Sequence, residues 1–279
     1  MTSLTSVLRL TPGDPVDLDA LPTRTTPGVE DRDAGKAGLA DVQDRLGDLQ
    51  TRLYAEGRGG SPRRVLLLLQ GMDTSGKGGT VKRVAGAMDP SGVRVFGFAA
   101  PDEQERAEHF LARVRRALPR AGTVGVFDRS HYEDVLVPRV EGLVPEPVWR
   151  GRYAEIRDFE AELVEGGTTL VKVFLHLSYD EQRRRLLARL DDPDKHWKFD
   201  PSDVAARRRW PDYREAYAEA MQECATLAAP WHVVPADRKW YARFAVATLL
   251  AEAMTAMHPR LPRPDLDVAA LREALQPPH

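Results

Sequence analysis

The sequence predicts an α/β fold in three layers, a mostly parallel five-stranded sheet covered by helices on both faces. Three observations carry that expectation. Short apolar runs alternate with helix-period segments along most of the chain. The first run, Val65–Leu69, is five apolar residues that end at Gly71, as a buried parallel strand turning tightly into a helix would. A third run, Thr123–Phe127, delivers Asp128 to a strand end, where open α/β sheets place their ligands.

Taken in order, residues 1–33 are rich in Pro, Gly, Thr and Asp without apolar periodicity. They read as an extended arm, draped over the domain or partly disordered. A single α/β domain over 34–258 follows, with a tail at 259–279 in which Pro259, Pro262 and Pro264 suit wrapping over the surface. Leu39, Val42, Leu46, Leu49 and Leu53 recur at helical spacing and predict a helix ending near Gly57. After the first strand, a helix runs from Lys77 to about Met88, stopped by Asp89-Pro90-Ser91-Gly92. Val93, Val95 and Phe96 form the second strand, and 102–118 reads as one helix with Phe110, Leu111 and Val114 inward. Pro147 opens a helix whose Trp149, Tyr153, Ile156, Phe159 and Leu163 make a core stripe. Thr168–Leu177 is the fourth strand, with His176 as a satisfied wall residue, and Glu181–Leu190 is helical. Further helix extends to about Ala228, with Tyr213, Tyr217, Met221, Cys224 and Leu227 on one inner face. Trp231–Val234 is the fifth strand, and a long helix from Lys239 to Met257 closes the domain.

Composition narrows the function classes. Forty basic against 42 acidic residues, a net charge of −2 and a pI near 6.4 argue against indiscriminate binding to nucleic acid or anionic membrane. No apolar run approaches the length of a membrane span, and no basic segment precedes an apolar one at the N-terminus, which suggests a cytoplasmic protein. The single cysteine, Cys224, excludes an internal disulfide and any cysteine-based zinc cluster.

The chemistry concentrates in three stretches. Gly71-x4-Gly76-Lys77 has the spacing of a phosphate-binding loop, whose amides and following helix N-terminus cradle phosphate while the lysine adds a point charge. Gly71, Thr74, Ser75, Gly76, Gly78, Gly79 and Thr80 are its phosphate-binding candidates. One position departs from the usual loop: Gly78 stands where a Ser or Thr hydroxyl would hold a metal ion, while Asp73 places an acid inside an anion cradle. That combination suggests a metal held by carboxylate. Asp128, at the third strand end, is the second metal-directing acid, and Arg129 can neutralise charge on a transferring phosphoryl group. The third stretch is basic, Gln182-Arg183-Arg184-Arg185-Leu186-Leu187-Ala188-Arg189, with Lys195 and Lys198 beyond it. Leu186, Leu187 and Leu190 are expected to face the body, leaving Arg185 and Arg189 on a neighbouring face to grip consecutive anionic groups.

Together these stretches resemble the polyphosphate kinase 2 family. The resemblance rests on GMDTSGKGGT at 71–80, FDRSHYEDVLV at 127–137, LDDPDKHWKF at 190–199 and PADRKWY at 235–241. It implies a P-loop kinase-like fold similar to thymidylate kinase with a helical lid at about 183–214. It also implies transfer of the terminal phosphoryl group of polyphosphate to AMP or ADP with Mg²⁺ (or Mn²⁺), and a homo-oligomer. On that basis Asp73, Lys77, Asp128 and Arg129 are the catalytic candidates, with Asp73 and Asp128 binding metal. Arg184, Arg185, Arg189, Lys195 and Lys198 are the lid cations that track the polyphosphate chain, and Arg113 and Glu133 belong to the acceptor nucleotide. The SHYEDVL form resembles the subgroup that accepts both AMP and ADP. An ATP-dependent nucleoside monophosphate kinase is the alternative on the same fold, and GKGG counts against it. A nucleotide-binding switch is a third class; with no asparagine in the chain, the Asn-Lys-x-Asp guanine-reading motif is absent.

Overall fold

The computed structural model describes residues 3–276. Five strands form one wholly parallel sheet: β1 (Arg64–Gln70), β2 (Val93–Gly97), β3 (Val124–Asp128), β4 (Thr168–His176) and β5 (Trp231–Pro235), in the order β2-β3-β1-β4-β5. β1 lies at the centre, and its side chains alternate between two cores. Val65, Leu67 and Leu69 join one core, while Leu66 and Leu68 join the other. An unbroken apolar run is what a strand buried on both faces requires.

One helical layer consists of α1 (Leu4–Leu8), α2 (Arg32–Arg58), α3 (Lys77–Ala85) and α11 (Lys239–Ala256). The other holds α5 (Ala112–Ala117), α6 (Glu133–Val140), α7 (Glu146–Glu165) and α10 (Trp210–Cys224), with the short α4 (Glu103–Ala107), which has no buried residue, leading into α5. The helix α8 (Tyr179–Leu190), a 3₁₀ segment at Pro193–Lys198 and α9 (Ser202–Arg208) rise over the carboxyl ends of the strands as a lid. Past α11, the tail carries an exposed helix α12 (Val268–Ala274), and residues 277–279 of the expected tail lie outside the described residues.

The arm is an integral part of the fold. Leu4 and Leu8 are buried against the first core, and Glu252 on α11 accepts hydrogen bonds from the amides and hydroxyls at the start of α1. Arg9 bridges to His232 and Leu10 N donates to Trp231 O, so the arm covers the otherwise open edge of β5. His176 is satisfied as expected, donating from Nε2 to the arm carbonyls of Leu18 and Leu21 at 3.0 and 3.1 Å.

Four expectations need correction. The single helix over 102–118 is two short ones, α4 closed by a capping box between Asp102 and Glu105 and α5 beginning after a turn at His109. His109 bonds its own chain at Leu111 N and reaches Glu155, competing with helix continuation. Leu227 is 80% exposed, because α10 stops at Cys224 and Thr226 closes a turn onto Ala229. Leu187 and Leu190 are also exposed; of the three leucines on α8 only Leu186 is buried. Finally, α6 has no counterpart among the expected helices. It contains Pro138, which cannot donate to Asp134 O, and the guanidinium of Arg152 fills that place.

Candidate active site

The loop after β1 turns at Gly71, whose φ is 152°. A Cβ there would stand 2.8 Å from Ser75 Oγ and 2.9 Å from Leu175 O, so only glycine fits. Ser75 N closes the bend onto Met72 O, and Gly76 caps α3 in the left-handed conformation. The amides of Gly76, Lys77, Gly78 and Gly79 find no backbone acceptor, as at the start of any α-helix, which leaves them able to take an anion. Lys77 is buried; its Nζ donates to Gly71 O at 2.6 Å and more weakly to Met72 O. Burial pulls its pKa down, opposed by Asp73 and Asp128 nearby.

β3 brings the second acid alongside. Asp128 pairs in register with Leu69 of β1, one strand over from the start of the loop. A Cβ added at Gly78 would lie 3.7 Å from Asp128 Oδ2, so the carboxylate faces the place from which a hydroxyl at 78 would project. Arg129 follows with φ 66°, a left-handed conformation costly for an arginine. Its amide is held by Leu69 O, and its guanidinium lies 3.3 Å from Asp73 Oδ1. Burial depresses the Arg129 pKa, but Glu133 and Asp73 outweigh it and the net shift is upward. Glu133 moves up as well, burial outweighing the attraction of Arg129 and Lys77. The Gln70 amide, with its nitrogen toward Glu133, donates to Oε1 at 3.0 Å.

These groups line one open cleft of about 780 Å³ at the carboxyl ends of the strands. The structure brings Asp73, the loop to Thr80, Asp128, Arg129, Arg185, Arg189, Lys195 and Lys198 to its walls. Arg184 instead points outward, paired with Glu181 on its own helix. Arg113 is buried behind the cleft wall, donating to Ala99 O and Asp134 Oδ2, with its guanidinium over the Phe98 ring. Glu133 stands off the cleft walls, bonded to Gln70. Lys195 pairs with Asp192, and Arg189 with Asp203 at 3.2 Å.

Sequence reasoning missed Phe98 and Ala99 on the β2 side and Lys239 and Arg243 on α11. Neither Lys239 nor Arg243 has a carboxylate partner within ion-pair distance among the described residues. Burial and then neighbouring cations lower both pKa values, Arg185 acting on Lys239 and Arg83 on Arg243. The spacing of Lys239 and Arg243, i and i+4 at the start of a helix following a strand end, was the available signal.

A parallel sheet with a phosphate loop, two acids at adjacent strand ends and a basic lid defines a P-loop phosphotransferase. The comparison with known proteins narrows this further. The family model for polyphosphate kinase 2 matches residues 29–262, and the chain belongs to that family. It is 47% identical to the AMP/ADP-polyphosphate phosphotransferase of Meiothermus ruber over 234 residues, 84% of this chain and 86% of that one. It is 40% identical to the ADP-polyphosphate phosphotransferase of Rhodopseudomonas palustris, over 98% of this chain and 96% of the other. The crystal structure of polyphosphate kinase 2 from Arthrobacter aurescens superposes with a TM-score of 0.95 at 50% identity, covering 98% and 96% of the two chains.

Proposed function

We propose that this protein moves the terminal phosphoryl group of inorganic polyphosphate to AMP or ADP by in-line transfer in the cleft. The observation that carries the reading is the pairing of a phosphate loop having uncommitted amides with cations on two sides, Arg189 and Lys198 from the lid and Lys239 and Arg243 from α11. A donor made only of phosphates needs such a lining over several successive groups, whereas the triphosphate of a nucleotide is short. The names of the two curated relatives support the donor, and they differ in acceptor. That both AMP and ADP serve as acceptors rests on the SHYEDVL sequence.

Asp73 and Asp128 suit a hard divalent cation, which prefers few carboxylates completed by phosphate oxygens and water. The described residues hold no group of three or more His, Cys, Asp or Glu able to hold a metal ion unaided, in keeping with a site that substrate completes. Bound there, magnesium or manganese would neutralise phosphate charge. The protein's own part is positioning. The amides of Gly76 to Gly79 and Lys77 Nζ hold one phosphate, releasing the lysine from Gly71 O. Arg129, already aimed at the same space as Asp73, stabilises charge on the group in flight. Among the described residues no helix is long and apolar enough to cross a membrane; a cytoplasmic location is part of the proposal.

The test supplies the purified protein with polyphosphate, Mg²⁺ and AMP or ADP and follows the nucleotides. Formation of ADP and ATP is expected. Phosphorylation of AMP from ATP, with none from polyphosphate, would overturn the donor assignment.

A further inference from the structure

Arg185 differs from the other cations of the cleft in having nothing left to offer a substrate. It is 4% exposed. A guanidinium has five N–H donors, and here each has a protein acceptor. Nε donates to Glu181 at 2.7 Å, one terminal nitrogen to Thr74 O and Ser75 O at 2.9 and 3.0 Å, and the other to Ala236 O and Asp237 O at 2.6 and 3.1 Å. The first pair of carbonyls belongs to the phosphate loop and the second to the turn between β5 and α11.

This clamp has a consequence for the loop. Because a peptide is planar with its C=O and N–H opposed, turning Ser75 O toward Arg185 sends Gly76 N–H the other way, and that amide has no protein acceptor. Thr74, whose φ is 65°, takes the strained conformation that aligns its own carbonyl with that of Ser75. The clamp also reaches further. The carboxylate of Asp237 accepts from Ser178 N, which precedes α8, and from Thr23 Oγ of the arm, at 2.8 and 2.9 Å. Lid helix, arm and phosphate loop therefore meet at one buried knot.

We infer that Arg185 is a positioning residue for the phosphate loop, not a contact for the polyphosphate donor, and that Asp237 completes the same device by fixing the lid helix and the arm to it. The assay rests on the proposed activity, and a second readout does not.

The experiment compares Arg185→Ala, Asp237→Ala and Arg189→Ala at saturating and limiting concentrations of each substrate. Arg185→Ala is expected to lower kcat about 100-fold, the cost of a misplacement near 1 Å, with both KM values moving by a similar factor. Arg189→Ala is expected to raise the polyphosphate KM alone. Asp237→Ala separates the two readings by sign. Removing a carboxylate beside an anion track lowers the polyphosphate KM, whereas loosening the knot lowers kcat. Recovery of full kcat by Arg185→Ala at high polyphosphate, or a lowered donor KM with normal kcat in Asp237→Ala, would overturn the inference. Hydrogen exchange of the bonded loop amides, Ser75 N onto Met72 O and Thr80 N onto Gly76 O, measured without substrate, is expected to speed up at least about tenfold in Arg185→Ala and to stay unchanged in Arg189→Ala. Unchanged exchange in Arg185→Ala would also overturn it. A wild-type protein inactive with polyphosphate would remove the activity reading and leave the exchange result standing.

Discussion

Behind the turn that carries Arg129 lies a fully buried ion pair, and its removal in steps has a calculable outcome. Lys172 of β4 is 0% exposed and Glu160 of α7 is 2% exposed. Lys172 Nζ donates to Glu160 Oε2 at 2.5 Å, to Cys224 O at 2.7 Å and to the Tyr132 hydroxyl at 3.1 Å. Glu160 Oε1 accepts from Tyr132 Oη at 2.8 Å and from His131 Nε2 at 3.2 Å. Burial would raise the Glu160 pKa, but Lys172 and then His131 outweigh it and hold the carboxyl below its ordinary value. Lys172→Met leaves a buried carboxylate without its ammonium, and Glu160→Gln leaves the reverse. Each is expected to cost about 3–5 kcal/mol. Independent losses would sum to about 6–10 kcal/mol. The double variant removes both charges while Gln keeps an oxygen for Tyr132 and His131, so its total is expected to be no larger than either single loss. The coupling is then about 3 kcal/mol or more. Urea unfolding of the four proteins gives the cycle directly. A coupling below about 0.5 kcal/mol would refute the claim that these charges hold one another in the core.

Two further predictions concern the loop and the sheet edge. Gly71→Ala is expected to cost about 2 kcal/mol or more and to abolish transfer, because its φ and the contact with Leu175 O both oppose a Cβ. Gly78→Ala meets only Asp128 Oδ2 at 3.7 Å and should unfold like the wild type in the same denaturation assay. His232 is buried at the arm–β5 seam, bonds Lys172 O through Nδ1, and is pushed by burial to a pKa of about 4. As pH falls the unfolded chain takes up this proton first, so the contribution is complete above about pH 6.5 and is lost as pH approaches 4, a change of about 3 kcal/mol. Stability of His232→Gln against pH should be flatter across that window by about one proton. A slope equal to that of the wild type would place the acid sensitivity elsewhere.

What the sequence disclosed follows from the range of each interaction. β1 was legible because burial on both faces leaves an unbroken run, and the loop because its geometry is set by residues a few positions apart. The helix α6 was hidden by Pro138, whose missing bond is repaired by Arg152, a residue in another helix. The break between α4 and α5 depends on Glu155, 46 positions from His109. Arg185 and Arg189 look equivalent in a charge run, yet Glu181 lies four residues before Arg185 and helps draw it inward, while Arg189 turns to Asp203. Only the fold sets Lys239 and Arg243 opposite the lid. Short-range spacing thus revealed the anion cradle and the acid at the end of β3, whereas the division of the cations into clamp and lining was written in contacts between distant segments.

The central claim is that Asp73 and Asp128 take over, at a phosphate loop with Gly78 in place of the hydroxyl residue after its lysine, the work of organising the metal and the reacting phosphates. It is tested by measuring phosphoryl transfer from polyphosphate across a magnesium titration in Asp73→Asn and Asp128→Asn, with thermal unfolding as the control for fold. Transfer is predicted to fall by at least about 100-fold in each, with unfolding unchanged and no recovery at high magnesium. Near-normal turnover in either variant, at any magnesium concentration, would contradict the account.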